Sequence, residues 1–307
     1  MTLGVLLMTY GSPADDLHDL PEYLAAVRGG REAPAELVTE FRRRYQVIGG
    51  SPLIPITLTQ AEALQERLRD EGVDAVATVG MRFSSPTVLD GLTALVDAGC
   101  ATVTAIILSP QYSGLLMGGY ERALDEARAS LGARAPAVHL APAWYRERGF
   151  IDAVAERIRN GLGSLPYEPP VLLTAHSLPR RVAEREPAYL DQLHETAELV
   201  AGASGLDPGR WHFCWQSAGH EPGEWMKPDF ADLVPRLRDE GHKAVLVAPI
   251  QFLADHLEIL YDVDIGARAQ AEEAGMAFAR IESLNTSPTF IGALARIAQE
   301  AAAVGST

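Results

Sequence analysis

The chain has 307 residues, 47% of them hydrophobic and 22% charged, with two cysteines and a net charge of −15. That length suits one large domain or two ordinary ones with ample core, and the acidic balance argues against nucleic acid or an anionic membrane as the main partner. No apolar run approaches the roughly 20 residues that cross a bilayer, and the N-terminus lacks the marks of a signal peptide. Cys100 and Cys214 supply neither a disulfide framework nor the ligands of an iron–sulfur cluster, so the cytoplasm is the expected compartment.

Leu3 to Thr9 reads as a first strand closed by the turn signal Tyr10-Gly11-Ser12-Pro13. Two helical patterns follow, about 17–28 and 34–45, split by Gly29-Gly30-Arg31. The loop Ile48-Gly-Gly-Ser-Pro-Leu53 lacks both a phosphate-loop Gly-Lys-Ser/Thr and dinucleotide spacing, so it is not read as nucleotide-binding. A helix over 56–71 leads into strand 75–80, helix 87–98, strand 102–108, helix 118–131 and strand 137–140. After Pro142 the alternation resumes: helix 149–161, strand 171–174, helix 188–202, strand 211–215, helix 229–240, strand 244–248, an acidic helix from about Ala254, strand 277–281 and a last helix over 286–303. Alternation of this kind predicts an α/β protein with parallel sheets flanked by helices.

Two coincidences suggest that the pattern is duplicated. Val5-Leu-Leu-Met-Thr-Tyr-Gly-Ser-Pro13 parallels Val171-Leu-Leu-Thr-Ala-His-Ser-Leu-Pro179, and Ile107-Leu-Ser-Pro-Gln-Tyr-Ser113 parallels Val247-Ala-Pro-Ile-Gln-Phe-Leu253. The expected organisation is therefore two similar Rossmann-like lobes, 1–142 and 143–307, with a cleft between them. The last helix is expected to pack back on the first lobe, and the first lobe carries an insertion at about 16–55 as a candidate wall of the cleft.

His176 is placed just past the carboxyl end of its strand, where open α/β sheets hold ligands. A histidine there also serves simply to hydrogen-bond a neighbouring loop. Downstream, at 100° per residue, Asp255, Glu258 and Asp262 fall on one helix face. Such a row is ordinarily a solvated surface, but Leu253, Leu257, Leu260 and Tyr261 around it predict burial, and buried carboxylates need partners. An imidazole with carboxylates suits a borderline divalent metal held transiently, or an acid–base site. His194, His212, His220 and His242 are read as surface or supporting groups. Arg28, Arg31, Arg42, Arg43 and Arg44 supply the local positive charge that an anionic ligand would require.

Six segments together resemble the ferrochelatases, enzymes that insert ferrous iron into a porphyrin during haem synthesis. They are Met8-Thr-Tyr-Gly-Ser-Pro13, Arg44-Tyr-Gln-Val-Ile-Gly-Gly-Ser-Pro-Leu53, Leu108-Ser-Pro-Gln-Tyr-Ser113, Thr174-Ala-His-Ser-Leu-Pro179, Trp215-Gln-Ser-Ala-Gly219 and Asp255-His-Leu-Glu-Ile-Leu-Tyr-Asp262. The resemblance implies a porphyrin cleft between chelatase-type lobes. It makes His176 and Glu258 the catalytic pair at the iron site, with His176 as general base and Asp262 as a proton relay. Tyr10 resembles the coproporphyrin III branch, where a tyrosine approaches the metal from the opposite face, and Arg28, Arg44, Tyr45, Ser51 and Tyr120 match porphyrin-contacting positions. Gly266 stands where the acidic row often continues, which leaves an outer metal site in doubt, and Gly29 follows Arg28 where some relatives have a second basic residue.

Coproporphyrin III and Fe²⁺ are accordingly the expected partners, both as substrates. No permanently bound cofactor, iron–sulfur cluster, nucleic acid or integral membrane segment is expected, and the chain is expected to be a monomer. The alternatives are a protoporphyrin IX ferrochelatase, a chelatase for another tetrapyrrole such as sirohydrochlorin, a non-catalytic porphyrin or iron carrier, and a sugar-binding-type module on a bilobed scaffold.

Overall fold

A computed structural model describes residues 2–165, 168–219 and 223–304. Strand β1 (Leu3–Thr9) is buried along nearly its whole length, as expected of a continuous apolar run at the centre of a parallel sheet. Its neighbours are β2 (Ala75–Met81) and β3 (Thr102–Ile107), with β4 (Ala137–Leu140) beyond β3, giving the order β2-β1-β3-β4. The second sheet repeats that order as β6-β5-β7-β8, built from β5 (Val171–His176), β6 (Trp211–Gln216), β7 (Ala244–Pro249) and β8 (Ala277–Arg280). All the strand pairs in both sheets are parallel.

The duplicated topology matches Val5 with Val171 as the sequence does, but the second coincidence slips by two residues. Leu108 N–H donates to Met8 O, and Ile250 N–H donates to Thr174 O. Since Met8 and Thr174 are equivalent, Leu108 corresponds to Ile250, not to Ala248. The shared apolar-Pro-Gln pattern had concealed a shorter exit from β7. Strand β5 also continues to His176, which pairs with Gln216, so the imidazole belongs to the last strand residue and does not lie beyond the strand.

In each sheet the chain leaves the first strand for one edge and returns to the other side, which creates a switch point between β1 and β3 and another between β5 and β7. The carboxyl ends of strands at such points are where open α/β sheets bind ligands. Tyr10 follows β1 at the first switch point, and His176 ends β5 at the second.

The insertion consists of α1 (Leu20–Val27) and α2 (Ala35–Ile48), ahead of α3 (Leu53–Asp70). Behind Tyr10 the chain turns at Gly11, with φ at +93°, and a Cβ there would meet Ser84 Oγ at 2.2 Å. Helix α4 (Val88–Asp97) lies directly on β2, because Gly91 has no Cβ to strike Val79 O, 2.2 Å from where it would sit. Helix α5 (Gly114–Leu131) begins four residues before the expected Gly118, since Ser113 Oγ accepts from Leu116 N–H and caps it.

In the second half, α6 (Arg148–Gly163), the short α7 (Arg180–Ala183), α8 (Pro187–Ser204) and α9 (Phe230–Asp239) precede the acidic segment. That segment is a π-helix over Glu258–Ala267 running into α10 (Arg268–Glu273). Helix α11 (Pro288–Val304) lies against α3, β3 and β4 as well as α6. Val5, Leu7 and Ile106 of the first sheet join Val171, Leu173 and Leu246 of the second in one core through Phe150, Phe290 and Leu294.

Candidate functional site

Between the two switch points lies a cavity of about 850 Å³, within the size range of small-molecule sites. The first half contributes Tyr10, Tyr23, Arg44, Tyr45, Arg82, Phe83 and Tyr120 to its wall, and the second contributes His176, Gln216, Phe252, His256, Glu258 and Asp262.

The backbone N–H of His176 donates to Gln251 Oε1 at 2.8 Å, and Gln251 Nε2 in turn donates to the hydroxyl of buried Tyr189 at 2.5 Å. The ring Nδ1 lies 2.5 Å from Ser177 O. A carbonyl only accepts, so Nδ1 carries a proton, and in the neutral ring the lone pair is on Nε2. That atom faces Glu258 Oε2 at 3.4 Å. Glu258 Oε2 is buried and accepts no hydrogen bond among the described residues. A buried, unsatisfied carboxylate oxygen and an imidazole nitrogen this close make a donor set that a cation or a transferred proton would complete. No group of three or more His, Cys, Asp or Glu side chains among the described residues is arranged to hold a metal ion.

Asp262 lies one turn on from Glu258. Burial and the neighbouring charge of Glu258 push its carboxyl above the usual range, opposed by Ser217, Arg44 and His176. Arg44 Nη1 stands 3.4 Å from Asp262 Oδ1, while its Nε donates to Glu40 Oε1 at 2.8 Å. The guanidinium also covers the rings of Tyr261 (5.0 Å) and Phe41 (5.5 Å).

The expected single stripe of Asp255, Glu258 and Asp262 does not form. Asp255 precedes the π-helix and is turned away, accepting from Ser283 Oγ at 2.7 Å and Asn285 Nδ2 at 3.0 Å, with Arg280 at 3.4 Å. The cavity row is instead Glu258, Asp262, Gly266 and Gln270. Gly266 thus occupies the row's third place without a carboxylate.

Tyr10 is 39% exposed, stacks edge-on against Phe83 at 4.6 Å, and lines the cavity. Burial foremost, then the charge of Glu258, pushes its phenol up to about 12, while Arg82 pulls the other way. Tyr45 and Tyr120 line the wall from buried positions, and burial raises both phenols. Arg82 lies over the rings of Phe83 (4.6 Å) and Tyr120 (5.5 Å).

Of the residues singled out from the sequence, Tyr10, Arg44, Tyr45, Tyr120, His176, Glu258 and Asp262 meet at the cavity. Arg28 and Ser51 are not among its lining residues. Arg28 caps the end of α1 with a buried Nε that has no hydrogen-bond partner among the described residues, and Ser51 Oγ accepts from Leu53 N–H at the start of α3. His194 stacks on Phe213 away from the cavity, His212 and His242 also lie outside it, and His220 lies outside the described residues. Arg82, Gln251, Phe252 and His256 went unselected. A signal for the last three existed: they follow β7 at its switch point, as His176 ends β5.

The ferrochelatase family model matches residues 2–302. A ferrochelatase of Deinococcus radiodurans is 39% identical over 306 residues, covering 98% of this chain and 96% of that protein. The coproporphyrin III ferrochelatases of Geobacillus kaustophilus and Bacillus subtilis are 36% and 32% identical, each over 96% of this chain and over 95% and 96% of their own lengths. Among solved structures, SirB from Bacillus subtilis with Fe³⁺ superposes with a TM-score of 0.63 at 13% identity, covering 100% of this chain and 98% of that one, a likeness of fold.

Proposed function

The chain belongs to the ferrochelatase family, which makes it a lyase that inserts metal into a porphyrin, and from that premise we propose that it inserts Fe²⁺ into coproporphyrin III. The observation that carries the reading of the site is Nε2 of His176 standing 3.4 Å from Glu258 Oε2 at the wall of a cavity between two switch points.

In this reading His176 takes a pyrrole N–H proton on Nε2, with Nδ1–H held by Ser177 O so that the ring keeps its tautomer. Insertion exchanges two pyrrole protons for one Fe²⁺. Glu258 holds the ion beside the ring nitrogens and helps carry the released protons toward Asp262. Arg44 and Tyr45, with Arg28 and Ser51 further along the same insertion, are assigned to the propionate side of the macrocycle. Tyr10 and Tyr120 are assigned to the first-lobe face. The choice of coproporphyrin III rests on the names of the relatives at 32–36% identity and on Tyr10. No helix among the described residues is long and apolar enough to cross a membrane, and we place the activity in the cytoplasm.

The test is turnover with Fe²⁺ under anaerobic conditions on coproporphyrin III and on protoporphyrin IX. The reading requires kcat/KM to be at least about tenfold higher for coproporphyrin III, since each charge-assisted contact to an additional carboxylate is worth about 1.5–3 kcal/mol. Equal values, or a preference for protoporphyrin IX, would refute the branch assignment and leave the family intact.

A further inference from the structure

Arg44 stands where the two halves of the chain meet at the cavity wall, and two carboxylates among the described residues hold it unequally. Glu40, one turn earlier on α2, takes Nε at 2.8 Å, an ordinary charge-assisted length. Asp262, on the π-helix 218 residues away, is reached at only 3.4 Å. Both side chains of the longer contact are shielded, Arg44 at 18% exposure and Asp262 at 24%, and both face the cavity. The guanidinium plane is fixed by Tyr261 and Phe41, so its contact with Asp262 is made in one orientation. Of these two contacts, the longer one is the one an anion entering the cavity would displace first.

We propose that a carboxylate of the tetrapyrrole replaces Asp262 on Arg44, so that seating the substrate releases Asp262 beside Glu258. This rests on the proposed porphyrin reading and adds to it a positioning role. Arg44 is a switch between an internal carboxylate, which ties α2 to the π-helix, and the substrate's own. Asp262 is then a competitor for substrate as well as a neighbour of the metal pair. Its removal should strengthen binding while weakening insertion. A merely structural ion pair would not produce that opposition.

The experiment measures the dissociation constant of coproporphyrin III by fluorescence titration for the unaltered protein, Asp262→Asn, Arg44→Gln and the double variant. Arg44→Met serves as a second background should Arg44→Gln fold poorly. With Arg44 present, Asp262→Asn should tighten binding about three- to tenfold, the size of an ordinary coupling between contacting groups. Without Arg44 the same substitution should change it by less than about twofold. The tetramethyl ester of the porphyrin should bind Asp262→Asn no more tightly than the unaltered protein, and Asp262→Asn should lower KM and kcat together. Unchanged or weaker binding in Asp262→Asn, or equal tightening with and without Arg44, would overturn the exchange. Failure of the unaltered protein to bind coproporphyrin III would instead overturn the substrate reading on which it rests.

Discussion

The proton on His176 Nδ1 is fixed by a backbone carbonyl, so the chemistry of the imidazole is concentrated at Nε2, opposite the unsatisfied oxygen of Glu258. Glu258→Gln keeps the shape and removes the charge at that oxygen. It should reduce kcat by at least about a hundredfold, in the range of losing a general acid–base group, and more than Asp262→Asn does. Equal losses in steady-state assays would mean that the two carboxylates act as one relay.

Asp262 also makes a statement about stability. Its carboxyl is raised in the folded protein by burial and by Glu258, so its contribution is most favourable below the ordinary Asp range and is lost as pH rises through the raised value. Asp262→Asn, neutral throughout, should therefore raise the unfolding midpoint at pH 7 by about 2 °C, and the gain should vanish below about pH 4. Calorimetric scans across that range check it, and a gain that grows on acidification would contradict the sign. Tyr10, whose phenol is pushed up to about 12 by burial and by Glu258, binds a metal as phenolate only if the metal displaces its proton. Tyr10→Phe should leave turnover within about tenfold of the unaltered enzyme, well short of the loss of a general base, and should shift the absorption spectrum of the ferric product complex. An unchanged spectrum would remove Tyr10 from the iron.

Between residues and the whole fold, the π-helix is the element that the sequence disguised. Apolar and acidic positions in Glu258–Ala267 suit an α-helix equally well, and nothing local signals i to i+5 hydrogen bonding, which tends to mark functional sites. What distinguishes the segment is remote. Arg280, 12% exposed, donates twice to Asp264 at 2.8 Å and reaches Asp255 at 3.4 Å, which ties the π-helix to the loop before it. From the sequence Asp255 falls in the acidic row with Glu258 and Asp262, because its partners Ser283, Asn285 and Arg280 lie 25–30 residues downstream. Arg280→Ala would take the cation away from two largely buried carboxylates, Asp255 and Asp264. It should cost about 3–5 kcal/mol of stability and lower kcat by displacing Glu258. Denaturant titration checks the first, and a loss below about 1 kcal/mol would show that the brace is dispensable. By contrast β1, β5, α4 and the strand-end placement of Tyr10 and His176 were legible, because buried parallel strands and capped helices leave local patterns.

Across the whole molecule, the duplicated strand order gives two ligand-binding ends, and the shared core with α11 at its centre sets them to face one cavity. That architecture was visible as repeated β1 and β5 sequences, whereas Arg44 meeting Asp262 across 218 residues was not. Two halves held by a continuous core can present His176 and Glu258 to one side of a flat macrocycle and Tyr10 to the other, and the central claim is that the His176–Glu258 pair performs the insertion. Its most direct test is a single turnover: coproporphyrin III bound to the unaltered protein and to His176→Ala, mixed with Fe²⁺ without oxygen, and followed by the conversion of the free-base to the metalloporphyrin spectrum. Insertion should slow by at least about 10²–10⁴-fold in His176→Ala while the porphyrin dissociation constant stays within about threefold, since no propionate contact is assigned to that residue. A variant that inserts iron at more than about a tenth of the unaltered rate would contradict the account.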